Sequence, residues 1–355
     1  MTAGEKDIKH IEELYAGRRA FHGEMHNHSA SGGTSDGKRT LAEWRKGMEE
    51  FSLDFVAILD HRQVRHMYQP EWEDGLFIAG TEPGTGIVDD VYKKMVVENE
   101  MHYNMIFESP KPLEEILAEF PEFEFEGGIE GHFVHPVFTH ERMQELIRAV
   151  KAKGGFFVHP HPRQCARYTD WMDYYRDEEI GLEVFYGFMT SDATKDNYKL
   201  WTLFLEKGKH VWAIAGGDNH ADPNAEALTT IYAEDRKNKY YLPHLRVGDF
   251  VCGPVGIRMC VGDTLMGSRC KFDGKRLVVS VGDFHKRVNK PDHKFRLDLL
   301  DDKGVVASKE ITCTETSYLA IDADVNVKFY RAEVFDVTEG VRIGIGNPIW
   351  NELIG

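Results

Sequence analysis

Short, continuously apolar runs recur along the first 250 residues, with amphipathic stretches between them. The runs are Leu53 to Leu59, Leu76 to Ala79, Gly155 to Val158, Leu182 to Phe185 and Val211 to Ala215. Continuous rather than alternating apolarity predicts strands buried on both faces, as in a parallel sheet covered by helices. Two intervening stretches carry helical spacing. Thr40 to Phe51 opens on an N-cap threonine followed by Glu43 at the capping-box position, and sets Leu41, Trp44 and Met48 on one side. His140 to Lys153 puts Met143, Leu146, Ile147 and Val150 on one stripe and stops at Gly154-Gly155. Strand alternating with helix predicts an α/β fold, and over this length a barrel is the leading architecture.

After about residue 250 the pattern changes. Lys275 to Val281, Phe295 to Leu300, Val325 to Tyr330 and Val341 to Ile345 mainly alternate, and turn chemistry such as Asp273-Gly274 and Asp302-Lys303-Gly304 separates them. That pattern predicts half-buried antiparallel strands. The expected organisation is a barrel domain over 1–250 and a smaller all-β, sandwich-like domain over 251–355. A chain of 355 residues accommodates either two domains or one barrel with an appendage. The acidic, irregular region from Glu98 to Phe133 reads as long loops near one end of the barrel.

With 42% hydrophobic and 29% charged residues the composition is that of an ordinary globular protein. Lys and Arg number 43 against 59 Asp and Glu, a net charge of −16, and no basic run interrupts the acidic background. Binding along a phosphate backbone then lacks its usual electrostatic drive, so no nucleic acid is expected as a partner. No apolar run approaches the roughly 18 residues needed to cross a bilayer, and the N-terminus is charged, so no membrane is expected and the cytoplasm is the expected compartment. The five cysteines, Cys165, Cys252, Cys260, Cys270 and Cys313, contain no CxxC pair, which argues against a disulfide framework and a thiolate metal knot. The outstanding count is 17 histidines, many beside acidic residues.

Five constellations stand out. Side chains two apart on a strand point the same way, so His26 and His28 can share a metal if their segment is extended. Asp60-His61 ends the run from Leu53, and Glu82 lies three residues past the run ending at Ala79. His159-Pro160-His161-Pro162 follows Gly155 to Val158, and Asp218-Asn219-His220 follows Val211 to Ala215. Each alone has an ordinary explanation: a capping histidine, a buried histidine bonded to backbone, a turn aspartate. Their common position is what counts. In a barrel of parallel strands the C-terminal strand ends converge, and these residues all follow strands at that end.

The chain resembles the PHP (polymerase and histidinol phosphatase) superfamily of metal-dependent phosphoesterases. The resemblance is carried, in order, by FHGEMHNHS at 21–29, Ser35-Asp36-Gly37, LDFVAILDH at 53–61, GTE at 80–82, GGFFVHP at 154–160 and GGDNH at 216–220. The ending Gly346-Asn347-Pro348-Ile349-Trp350 on a β-rich tail resembles the branch with a C-terminal β domain. The resemblance implies a distorted (β/α)7 TIM-like barrel holding two or three divalent ions, zinc, manganese or iron, at its C-terminal face. It places His26, His28, Glu82 and Asp218 around one ion. Glu82 bridges to a second ion that His159 and His102 also hold, with His132 and His135 as competitors for the place of His102. The third ion takes His61, His220 and Asp36. One departure is the longer connection Ala30-Ser31-Gly32-Gly33-Thr34 between His28 and Asp36.

A donor set of nitrogen and oxygen without thiolate suits zinc, manganese or iron(II). A pair of ions about 3.5–4 Å apart lowers the pKa of a shared water and supplies a hydroxide near neutral pH. Three divalent ions bring more positive charge than Asp36, Glu82 and Asp218 remove, so a small anionic phosphate ester is the expected substrate. Arg62 and Arg163 are candidate clamps on its oxygens, or ordinary surface ion pairs. His161 is either the proton donor to the leaving group or an ordinary loop histidine, Glu82 and Asp218 are the expected catalytic carboxylates, and Glu183 is expected behind a ligand. The alternatives are an amidohydrolase-like barrel cleaving C–N or C–O bonds, and a non-catalytic metal-binding module. An oligomer formed through the β domain is also open.

Overall fold

The computed structural model describes residues 3–89, 94–123, 137–162, 179–221 and 223–354. The chain is mixed α/β, built on one large mixed sheet with additional β sheets. Its first strands are β1 (Arg19–Asn27), β2 (Phe55–Ile58) and β3 (Phe77–Thr81), paired in parallel. A hairpin of β4 (Gly84–Asp89) and β5 (Lys94–His102) follows, then β6 (Asn104–Phe107), the short β7 (Val137–Phe138) and β8 (Phe156–His159). β9 (Ile180–Tyr186) and β10 (Val211–Gly216) run parallel to β8, and β11 (Thr229–Ala233) and β12 (Phe250–Cys252) return antiparallel beyond β1. Strands β2, β3, β8 and β10 are buried along their whole length, as their unbroken apolarity predicts.

Two features depart from a regular parallel barrel. β6 lies between β3 and β8 and is antiparallel to both. Among the described residues the sheet is also not closed: no ladder joins β10 to β1, and they meet through one parallel bridge, Asn27 to Asn219, where Asn219 N donates to His26 O (3.2 Å) and His28 N to Asn219 O (2.9 Å). The region read as acidic loops from Glu98 instead contains the end of β5, all of β6 and a helix, Pro110–Glu119, as far as it is described. Its charges occupy the outer side of that helix, while Leu113 and Ile116 reach the core, so net acidity concealed an amphipathic segment.

The expected helices form. Leu41–Phe51 is capped by Thr40, whose side chain accepts from Glu43 N, and buries Leu41, Trp44 and Met48. His140–Ala152 buries Met143, Leu146, Ile147 and Val150. Among the described residues no helix is long and apolar enough to cross a membrane.

The remaining strands are β13 (Gly256–Val261), β14 (Thr264–Leu265), β15 (Arg269–Cys270), β16 (Arg276–Gly282), β17 (Phe295–Asp301), β18 (Gly304–Ile311), β19 (Ser317–Asp322), β20 (Phe329–Asp336), β21 (Val341–Gly346) and β22 (Ile349–Asn351). β14, β13, β16 and β19 form one antiparallel sheet, and β12 pairs with β21 so that β21, β20, β17 and β18 extend the main sheet. Ile257, Met259, Val279 and Val281 of one layer share a core with Leu297, Leu299, Val334 and Ile343 of the other. The run read as a strand from Val325 starts its strand at Phe329, because Val325 to Lys328 turn: Asn351 Nδ2 bonds the carbonyls of Val325 and Val327.

This β layer is fastened to β1 by a histidine pair. His22 and His285 lie 5.4 Å apart between ring centres, with His22 Nδ1 at 2.8 Å from Thr230 Oγ1 and His285 Nε2 donating to Ser52 O (3.1 Å). Burial, and then His285, hold His22 down to about 3. The unfolded chain therefore takes up a proton below about pH 6.5 that the native state refuses until about pH 3, and stability is lost as pH falls through that window. Thermal melts of wild type and His22→Gln between pH 7 and 4 should show a shallower decline in the variant; parallel curves would assign the acid sensitivity elsewhere.

Candidate metal centre

The strand ends carry the polar residues to one rim. β1 delivers Glu24, His26 and His28 on one face, all buried. Glu82 follows β3 directly. His102 ends β5 opposite Gly84, and Tyr103 N donates to Pro83 O (3.0 Å), so the hairpin register sets His102 beside Glu82. Because β6 runs antiparallel, the residues just before its start lie at the same rim as the C-terminal ends of β3 and β8.

Glu82 is the hub. It is fully buried, and among the described residues five imidazoles approach its carboxylate: His26 Nε2 at 3.2 Å, His28 Nε2 at 3.1 Å, His61 Nδ1 at 3.4 Å, His102 Nδ1 at 3.0 Å and His161 Nε2 at 3.2 Å. Burial alone would raise its pKa, but His26, His102 and His161 outweigh that and hold the acid well below the usual carboxylate range. Asp218 Oδ1 lies 3.5 Å from His26 Nε2 and 3.3 Å from His28 Nε2. Against the cost of burial, the carboxylates push His26 well upward and His28 to about 9.

Three groups of donors form around this hub. His26, His28, Glu82 and Asp218 make one; His61, Glu82 and His102 a second; His28, Asp36, His61 and His220 a third. In the third, the His28 ring stacks between His61 (4.5 Å) and His220 (4.3 Å), while Asp36 Oδ1 lies 3.5 Å from His61 Nε2 and 3.1 Å from His220 Nε2. The longer connection after His28 folds back to allow this. Gly32 and Gly33 take positive φ, Ala30 N donates to Arg39 O (2.7 Å), and Gly37 passes so close to His28 that a Cβ there would lie 2.3 Å from its carbonyl carbon.

The donors fit divalent cations. His26 Nε2, both ring nitrogens of His28, and Glu82 Oε2 are buried and make no hydrogen bond of acceptable geometry despite the short contacts. Atoms in that condition normally carry a large penalty, which a bound cation removes. His159 is buried at the end of β8, and burial with His161 and His102 depresses its pKa strongly, yet none of the three groups contains it. It is His161 whose Nε2 reaches Glu82. Arg62 is buried and takes a left-handed backbone (φ 52°) beside His61. Arg163, His132 and His135 lie outside the described residues.

A supporting layer holds these donors. His26 Nδ1 donates to Glu183 Oε1 (3.1 Å), which leaves Nε2 for the centre, and His161 N donates to Glu183 Oε2 (2.7 Å). Asp60 accepts from Ser29 N (2.6 Å), Ser29 Oγ (2.7 Å) and Ser31 Oγ, with His66 Nδ1 at 3.2 Å. Gly217 N donates to Glu24 Oε2 (2.9 Å), and burial pushes Glu24 up to about 8. Tyr186 Oη donates to Asp218 Oδ2 (2.9 Å). The sequence reading missed Glu24, Ser29 and Tyr186. Glu24 and Tyr186 carried a legible signal, the i, i+2 alternation with His26 and the end of a buried strand.

No family model matches the chain, and no curated protein matches it. Similar solved structures include a protein of Bifidobacterium adolescentis provisionally described as a metal-dependent phosphoesterase, at 16% identity and TM-score 0.36 over 58% of this chain and 90% of that one. They also include an amidohydrolase from Chromobacterium violaceum with bound sulfate, at 14% and TM-score 0.36 over 56% and 87%. A third is endonuclease Q in complex with a 27-mer duplex bearing an abasic lesion, at 15% and TM-score 0.44 over 65% and 58%. The expectation that no nucleic acid is involved is corrected by the last: a protein similar to this chain is seen on DNA. Net charge sums the whole surface and does not fix the field at one rim.

Glu183→Gln should lower metal affinity by about tenfold or more, measured by dialysis against zinc or manganese, because His26 loses its orienting carboxylate. Unchanged metal content would mean that packing alone orients the ring.

Proposed function

We propose that the chain is a metal-dependent phosphoesterase. The observation that carries this reading is the buried Glu82 carboxylate ringed by five imidazoles, with Asp218 and Asp36 completing separate donor groups on either side. The first two groups would hold two ions bridged by Glu82, and the third group a further ion. Divalent ions at such a site activate water and offset charge on phosphoryl oxygens. Zinc, manganese and iron(II) all suit the donor types.

The protein's own residues supply the rest. Glu82 keeps the donor groups together and, being buried and ionised, favours cations over protons. His61 and His220 with the exposed Asp36 form the outer edge, where an anionic ester arrives. His161 points its Nε2 at Glu82, which favours a donor role there over protonation of the leaving group. Arg62, buried beside His61, supplies a guanidinium suited to two phosphate oxygens. The substrate is a phosphomonoester or phosphodiester, and a nucleic-acid phosphodiester belongs to the same class. A distorted barrel whose last strand meets the first through a single bridge accounts for the convergence of the strand ends. An amidohydrolase reading is less favoured, since the residue at the bridging position is Glu82.

Elemental analysis after reconstitution should give at least two equivalents of metal, and phosphate release from a monoester and diester panel should stop on chelation and return with metal. Glu82→Gln should lose bound metal and reduce turnover by on the order of a hundredfold or more. Activity on amides alone, or phosphate release that survives chelation, would overturn the proposal.

A further inference from the structure

Asp218 is an unusual ligand candidate because its backbone is left-handed, with φ of 52°, so its side-chain direction needs an external anchor. Its neighbours are pinned: Gly217 N donates to Glu24 Oε2 and Asn219 N to His26 O. Its two oxygens then face different partners. Oδ1 turns to His26 and His28, while Oδ2 accepts from Tyr186 Oη at 2.9 Å.

Tyr186 is itself firmly placed. Its N donates to Thr194 Oγ1 (3.0 Å), its carbonyl accepts from Ser191 Oγ (3.1 Å), and Gly187 N donates to Gly216 O (3.1 Å). Its ring stands edge-on to His161 at 5.5 Å. The phenol therefore approaches Asp218 from a direction fixed by the end of β9 and the start of the helix Asp192–Glu206.

We propose that Tyr186 is a positioning residue that restricts Asp218 to one coordinating oxygen and so biases which ion the centre prefers. A carboxylate oxygen that already accepts a phenol hydroxyl is a poorer ligand than its free partner, which favours coordination through Oδ1 alone. Zinc, content with four ligands, loses little from a monodentate carboxylate; manganese, which favours six oxygen-rich positions, gains from the second oxygen. The inference rests on the metal-centre reading above and deepens it.

The test is Tyr186→Phe, which keeps the ring and removes Oη. Zinc and manganese are titrated separately into metal-free wild type and variant by equilibrium dialysis, with metal-free melting temperatures compared. The expected result is a zinc affinity lower by about tenfold, a manganese affinity lowered less or raised, and little change in melting temperature. Equal losses for both ions, or none, would overturn the inference. Cobalt(II) substitution of wild type gives a check that needs no variant: intense visible absorption of a four- or five-coordinate ion supports a monodentate Asp218, and weak six-coordinate absorption opposes it. If wild type takes up neither zinc nor manganese, the metal-centre reading fails first and takes this inference with it; metal uptake by wild type with an unaltered preference in the variant defeats this inference alone.

Discussion

The constraint on which the rest of the structure depends is the burial of an ionised carboxylate. Glu82 is removed from water, a placement that costs several kcal/mol unless compensated. Compensation comes from imidazoles delivered by β1 and the ends of β2, β5 and β8. Removing His26 or His28 leaves charge without a partner in a place that water cannot reach. The centre therefore imposes agreement on strand ends that are far apart in sequence.

Strand direction is what makes that agreement possible. Parallel β1, β2 and β3 bring His28, His61 and Glu82 to one rim, and parallel β8, β9 and β10 bring His161, Tyr186 and Asp218 to it from the other side. The antiparallel β6 joins the two halves and, by its reversed direction, lets a residue at its start reach the rim where the others end. His102 depends on that reversal. The glycine-bearing loop after His28 has a similar role on the outer side, since Gly37 lies against the His28 backbone and thereby carries Asp36 to His61 and His220.

Behind the donors, carboxylates recur as anchors. Glu183 fixes His26 and the backbone of His161, Asp60 fixes the turn after His28, and Glu24 fixes the turn before Asp218. Three of the chain's acids thus serve as buried supports for the candidate donors.

Much of this was determined by the sequence alone. Mainly apolar runs marked β2, β3, β8, β9 and β10 because a strand buried on both faces accepts a polar residue only where a partner satisfies it, as Glu183 in β9 shows, and the capping box marked the helix that packs Trp44 under His28. The strand-end histidines and carboxylates were legible because local position along the chain is enough to define a strand end. The reversed β6, the unclosed sheet, the approach of His161 to Glu82, and the hydroxyl of Tyr186 on Asp218 were decided only by tertiary structure. Each depends on register and direction between segments remote in sequence, and pairing energies of that kind leave no periodic mark on either segment by itself.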